Sequence, residues 1–276
     1  MPNHDLKVTD WANTAISGDV MCSNAYDTAN CELIFSVNLP ESSSYYVKIS
    51  PETKSPTAKV VKLKDLTVFD SSKEFKLSSS ASIKITKASQ KFDLTLGNTT
   101  ESFLVNYNYY ESYQGNDQKS GAYIFRPASN TPKTFSNIKS IEYAEGTKAV
   151  AIVLNGDKTV TKLTFSKEDG YVNKYGFEIE THIDSIEIND KVGKEVIMNF
   201  ATNYENNKTF YTDSNGLEEQ TRILNYRPTW PLVVNEEVSG NYYPVNSHIG
   251  LQDINTKKKL TIVTDRSEGG SVIRDG

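Results

Sequence analysis

Histidine and cysteine are the scarcest chemistry-bearing residues of this 276-residue chain, at three and two. His4, His182 and His248 lie far apart and form no His-x-x-x-His pair, so no local stretch supplies a metal site. His182 falls in an alternating segment with Glu178, Glu180 and Asp184, the pattern of a solvated strand face. Two thiols, Cys22 and Cys31, have no neighbouring histidine to complete a zinc site and no paired base to make either a nucleophile. A Gly-x-Ser-x-Gly elbow, a phosphate loop and a dinucleotide fingerprint are all missing. No excess of positive charge exists either. The net charge is -5 and the one basic cluster, Lys257, Lys258 and Lys259, suits a strand edge or a turn, so nucleic acid is not an expected partner. No run approaches the roughly 20 apolar residues of a membrane span; the longest apolar-leaning stretch, 32–39, is strand-sized. The first twelve residues lack the apolar segment of a signal peptide. Helical periodicity is nearly absent, with 5–16 the one candidate.

Sixteen Tyr and eleven Phe are present, too many aromatics for a disordered chain. The polar remainder is rich in Ser, Thr and Asn, and mean hydropathy is -0.51. Short segments with alternating or clustered β-branched and aromatic residues predict strands at 59–69, 82–86, 91–96, 103–110, 149–154, 159–165, 177–188, 195–200 and 260–264. Asn155-Gly156, Asp169-Gly170 and Asn215-Gly216 are hairpin dipeptides. The pattern is that of an all-β antiparallel sandwich. Polar loops at 41–58 and 112–120 suggest an irregular or helical segment over 1–30, a small β unit over 31–100 and a large β-sandwich over 101–276.

Several residues admit two readings. Cys22 and Cys31, nine apart, are either two thiols or a short-loop disulfide, and the latter implies an oxidising compartment. Asn-x-Thr sequons at Asn98 and Asn207 are candidate glycosylation sites and point the same way. Asp213, Asp265 and Asp275 lie in loop-like contexts, where aspartate commonly accepts main-chain N–H groups. Between 211 and 246 aromatic rings stand beside Asn, Asp and Arg. Such a set serves a sugar-contacting surface, with rings stacking and polar groups bonding hydroxyls, or equally a hydrogen-bonded loop core.

Six motifs occur in a fixed order. They are Ser120-Gly121-Ala122-Tyr123-Ile124-Phe125-Arg126-Pro127, Gly193-Lys194-Glu195-Val196-Ile197, Phe210-Tyr211-Thr212-Asp213-Ser214-Asn215-Gly216, Tyr226-Arg227-Pro228-Thr229-Trp230, Gly240-Asn241-Tyr242-Tyr243-Pro244-Val245-Asn246, and Thr264-Asp265-Arg266-Ser267 followed by Gly269-Gly270-Ser271. Over about 103–276 the chain resembles the C-terminal half of lysosomal-type α-mannosidases, the retaining glycoside hydrolases of family 38. The resemblance implies a β supersandwich of the galactose-mutarotase-like type and a role in hydrolysing α-linked mannose of N-glycans. It also implies a lysosomal or other secretory compartment. In that family an N-terminal α/β barrel binds zinc through two His and two Asp, one Asp being the nucleophile. None of those motifs is present here, so no catalytic residue, metal ligand or cofactor of its own is expected for this chain. The implied partners are a mannose-containing oligosaccharide and that catalytic barrel, without which the chain is expected to be inactive. Two further implications concern single residues: Cys22 and Cys31 correspond to a short-spaced cysteine pair of the family, and Tyr123 to a strand tyrosine that hydrogen-bonds substrate at the active-site rim. A buried strand tyrosine with a satisfied hydroxyl is the other reading of Tyr123. The family continues beyond Arg274-Asp275-Gly276, so a sandwich truncated at its C-terminal side is expected. The competing functional reading is a non-enzymatic carbohydrate-binding or accessory β-sandwich module.

Overall fold

Short β-branched and aromatic segments become strands wherever alternate side chains find an apolar neighbour, and 22 strands but no α-helix occur among the described residues. The structure, a computed structural model, describes residues 4–22, 31–39, 44–65, 71–168 and 176–272. Asp169-Gly170, Asp275 and the whole segment between the cysteines, 23–30, lie outside them. The chain divides into two compact units, Met1–Leu104 with Ser136–Ser185, and Val105–Phe135 with Ile186–Gly276. The all-β antiparallel class is as the strand pattern predicts.

The first unit opens with a five-stranded sheet built from β1 (Leu6–Asp10), β2 (Gly18–Cys22), β3 (Cys31–Phe35), β4 (Val47–Pro51) and β5 (Ala58–Val61), in the order β3-β2-β5-β1-β4. The β2–β5 pair is parallel and the other neighbours run antiparallel. Residues 5–16, where the sequence admits a helix, instead form β1 and a turn back along it. Leu6 and Val8 alternate into the core with Val20 and Ala58, and Asn13 takes φ 63, which ends any helical path. Gly18 is fixed by crowding, because a Cβ there would lie 2.8 Å from the Ile34 carbonyl oxygen.

After a short β6 (Lys64–Asp65) comes a meander of β7 (Ser72–Lys76), β8 (Ala81–Thr86), β9 (Lys91–Leu96) and the long β10 (Thr99–Glu111). Its apolar face meets a second sheet containing β12 (Ile138–Glu145), β13 (Ala149–Gly156), β14 (Thr159–Ser166) and β15 (Glu178–Ile183), ordered β15-β14-β13-β12-β6. Rings join the two layers. Phe92 stacks on Phe103 at 5.0 Å, Phe103 on Phe177 at 5.0 Å, and Phe177 on Phe165 at 4.8 Å, while Phe75 tilts on Tyr143 at 5.1 Å. Strand β13 is buried through its first six residues, as befits a central strand covered on both faces. The buried Asp19 carboxylate ties the first sheet to the β12–β13 turn, accepting from the main-chain N–H groups of Thr147, Lys148 and Ala149 and from the Thr147 hydroxyl.

Cys22 and Cys31 stand opposite each other in the β2–β3 ladder, with Cα atoms 4.2 Å apart, and are joined as a disulfide. Closing so short a loop removes denatured-state entropy worth about 2–3 kcal/mol in the chain-entropy model. Reduction is therefore expected to lower unfolding free energy by about that amount. Denaturant melts with and without reductant, with thiol labelling of the product, measure it. An unchanged midpoint in fully reduced protein would contradict the expectation.

The second unit takes over β10 from Val105 onward. Strands β11 (Lys133–Ser136) and β16 (Lys194–Thr202) pair with β10. A separate sheet runs β18 (Glu218–Ile223), β17 (Thr209–Ser214), β20 (His248–Gln252), β21 (Lys259–Val263), and β19 (Tyr243–Val245) pairs with β22 (Glu268–Gly270). Phe210, Tyr243 and Val272 form its core with Ile249 and Leu251.

Candidate functional site

The loop between β10 and β11 is pinched shut at its base and turned outward at its tip. At the base Tyr113 N–H donates to the Arg126 carbonyl at 2.9 Å, and Ala128 N–H to the Glu111 carbonyl at 2.7 Å. Ser120 then clamps Arg126 twice: its Oγ accepts from Arg126 N–H at 2.8 Å and donates to the Arg126 carbonyl at 2.9 Å. The Arg126 guanidinium lies over the Tyr113 ring at 4.2 Å and pairs with Glu236 at 2.7 Å. Between these anchors Gly121 N–H donates to the Ile124 carbonyl at 3.0 Å, closing a turn whose outer corner is Ala122-Tyr123.

Tyr123 is 95% exposed. It sits on this turn and not on a strand, because the Gly121–Ile124 bond reverses the chain before Tyr-Ile-Phe can extend. Both sequence readings that put it on a strand are corrected, and so is the reading that buries it. Two residues later Phe125 points inward, edge-on to Tyr110 at 5.7 Å and to Tyr242 at 5.2 Å.

Around Phe125 the other motifs converge. Tyr242 leads into β19, and a Cβ on Gly269 would come within 3.3 Å of its ring, so the glycine lets β22 lie against the tyrosine. Burial pushes the Tyr242 phenol well above its ordinary range, with the neighbouring Tyr110 and Glu195 adding to the effect. Glu195 stands at the start of β16, where desolvation and the charge of Glu268 raise its carboxyl. Tyr110 is also raised by burial, and its hydroxyl is enclosed without a hydrogen-bond partner among the described residues. The result is a floor of packed rings, Tyr110, Phe125 and Tyr242. No cluster of three or more His, Cys, Asp or Glu able to hold a metal ion occurs among the described residues, so those residues do not fit a zinc ion.

Much of the aromatic and polar segment 211–246 is packed. Asp213 is 2% exposed and accepts from the main-chain N–H groups of Gly216, Asn246, Ser247 and His248 at 2.7, 2.8, 2.9 and 3.2 Å. Those bonds hold its carboxyl far below the usual carboxylate range. The Tyr243 ring has Arg222 at 4.4 Å and Arg227 at 4.7 Å from its centroid. Asn241 is buried and bonded to Asn225 and to the Glu237 carbonyl. Tyr226 and Trp230, each about half exposed, are the most exposed rings of the segment. Asp265 is exposed and paired with Arg266 at 2.7 Å. His182 is exposed beside Asp184, and His248 lies near Glu219. Asn98 and Asn207 occupy exposed turns. The meeting of Tyr110 and Tyr242 on Phe125 has no signal in the sequence, since no local spacing connects β10, the Tyr123 loop and the approach to β19.

Residues 86–276 match the model of the glycosyl hydrolases family 38 C-terminal domain. The chain is 38% identical over 185 residues to a lysosomal alpha-mannosidase of Dictyostelium discoideum, covering 64% of this chain and 18% of that protein. It is 35% identical over 184 residues to a probable alpha-mannosidase of Arabidopsis thaliana (64% and 17% covered). With the lysosomal alpha-mannosidase of Homo sapiens the identity is 41% over 160 residues (58% and 15% covered). The chain thus spans less than a fifth of the length of these relatives. Because the match runs through every strand from β9 to β22, with the Tyr123 turn and the ring floor inside it, the chain belongs to the C-terminal domains of glycosyl hydrolase family 38.

Proposed function

We propose that this chain is the C-terminal β-sandwich part of a retaining, zinc-dependent α-mannosidase acting on α-linked mannose of N-glycans in a lysosomal or other secretory compartment. The observation that carries this reading is the exposed Tyr123, held on a braced turn inside the matched region. The relatives are named as alpha-mannosidases, several as lysosomal, and the Cys22–Cys31 disulfide agrees with an oxidising compartment.

The division of labour follows from the chemistry. A retaining glycosidase needs a carboxylate nucleophile and an acid/base group flanking the sugar. Zinc, held by a catalytic barrel that partners this domain, supplies Lewis-acid polarisation when bound. This chain orients substrate. The Tyr123 hydroxyl donates to or accepts from a sugar hydroxyl at the rim, and the Ser120 clamp and the Arg126–Glu236 pair keep its turn in place.

Two measurements test the proposal. The purified chain, with or without added zinc, is expected to release no mannose from an aryl α-mannoside, and turnover that persists through purification would overturn the division of labour. In an enzyme that unites this domain with its barrel, Tyr123→Phe is expected to lower kcat/KM roughly 2–10-fold, the worth of one neutral hydrogen bond. Because the side chain is exposed, the melting temperature should not move. An unchanged kcat/KM would remove Tyr123 from the substrate's surroundings. Mannose oligosaccharide binding by the chain alone, tight enough to measure by calorimetry, would favour the accessory-module reading, for which Tyr226 and Trp230 offer free ring surface.

A further inference from the structure

We propose that Asn98 and Asn207 both carry N-linked oligosaccharide, one on each compact unit. The inference does not depend on the mannosidase reading. It rests on where the fold puts the chain's two Asn-x-Thr sequons.

Asn98 lies at the tip of the β9–β10 hairpin. Leu96 and Thr99 are directly paired, leaving Gly97-Asn98 as a two-residue loop. Gly97 has φ +61 and Asn98 does not share its positive φ, the order of a type II′ turn. The side chain of Asn98 is exposed and makes no hydrogen bond among the described residues. The sequon hydroxyl, on Thr100, is also exposed, next to the Thr95 hydroxyl at 2.9 Å.

Asn207 occupies a different turn with the same outcome. Asn207 and Lys208 have φ 48 and 60, and Thr209 N–H donates to the Asn206 carbonyl at 2.9 Å, which defines a type I′ turn. Asn206 is fully buried and its Nδ2 donates to the Thr209 carbonyl at 2.8 Å, so the turn is nailed down from inside. Asn207, the sequon residue, projects outward with no side-chain hydrogen bond among the described residues. The Thr209 hydroxyl donates to Asn207's own carbonyl at 3.3 Å, which sets the sequon hydroxyl beside the acceptor residue. Of the neighbouring pair, the asparagine outside a sequon is the structural one and the asparagine inside it is free.

A sequon inside a strand would place a bulky sugar in the ladder, whereas both of these leave the acceptor side chain exposed and unbonded among the described residues. Both fall on tips, where a glycan adds only outward volume. The disulfide supplies the independent indication of a compartment in which this modification takes place. In the transfer, the asparagine Nδ2 forms a bond to the sugar C1 and gives up one proton. The C1–O bond to the diphosphate of a lipid-linked oligosaccharide donor breaks, the lipid diphosphate leaves, and nothing is oxidised or reduced.

The test is peptide mapping of the protein isolated from its source cells, treated with a peptide-N-glycosidase in heavy-oxygen water. Conversion to labelled aspartate is expected at both 98 and 207. Asn98→Gln and Asn207→Gln, made in the chain directed through a eukaryotic secretory pathway, should each remove one step of the glycoform ladder, and the double variant both. Source protein carrying the Cys22–Cys31 disulfide but unmodified at both positions would overturn the proposal, and occupancy at one site alone would overturn it for the other.

Discussion

Replacing Phe103 with alanine is expected to cost roughly 3–5 kcal/mol of folding free energy, the range for deleting a buried phenylalanine. Phe103 is 6% exposed and is the one ring that touches both Phe92 and Phe177, with Phe165 continuing the stack. Removing it leaves a void between β10 and the sheet that carries β14, and strips a stacking partner from two further rings. Phe103→Leu keeps most of the volume and should lose well under half as much. Urea melts of the two variants give the comparison. A loss below about 1 kcal/mol for alanine would mean that the two layers close over the gap.

Asp213→Ala is expected to be the most damaging polar substitution in the second unit. It strands four main-chain N–H groups at the junction of β17, the Asn215-Gly216 turn and the approach to β20. A drop of several degrees in melting temperature is expected, against little change for Asp265→Ala, whose carboxylate is exposed. The pH dependence has a definite sign. The folded carboxyl of Asp213 titrates far below an unfolded aspartate, and that of Asp253 is lowered to about 2 by the Thr256 N–H and other donors. Groups depressed in this way stabilise the fold fully above the unfolded value, near pH 4, and lose that contribution as pH falls toward the folded one. Melting temperature should therefore fall between about pH 4 and pH 2, and Asp213→Asn should flatten that slope. An equally steep slope in Asp213→Asn would transfer the effect to other carboxylates.

Strand periodicity made the fold class legible. The predicted 91–96 coincides with β9, and 149–154, 159–165, 195–200 and 260–264 fall within or one residue off β13, β14, β16 and β21. The failures have particular causes. Strand β15 ends at Ile183 although apolar alternation runs to 188, because pairing with β14 is exhausted at Thr159↔Ile183. Asn155-Gly156 looks like a hairpin turn, yet both residues belong to β13 and the loop is Asp157-Lys158. There the asparagine bonds Ser140 and Glu142, and the glycine exists because a Cβ would meet Ser136 Oγ at 2.4 Å. Asn215-Gly216 does form its turn, with φ 52 and 72. Of the candidate site, Tyr123 was visible only through family resemblance. Its exposure depends on one main-chain bond, from Gly121 to Ile124, that no residue pattern announces.

The order in which the two units are threaded along the chain has a consequence for biosynthesis. Residues 105–135 belong with 186–276, yet the ribosome must first finish 136–185, which belong with 1–104. At roughly 5–20 residues per second, the Tyr123 turn waits several seconds for Glu236 and Tyr242 to emerge. During that interval the 105–135 segment holds open β-strand and aromatic surface, and the first unit closes around its ring stack once Phe165 and Phe177 have emerged. A slow stretch of translation soon after residue 185 would let the first unit complete before the remainder of the second is made.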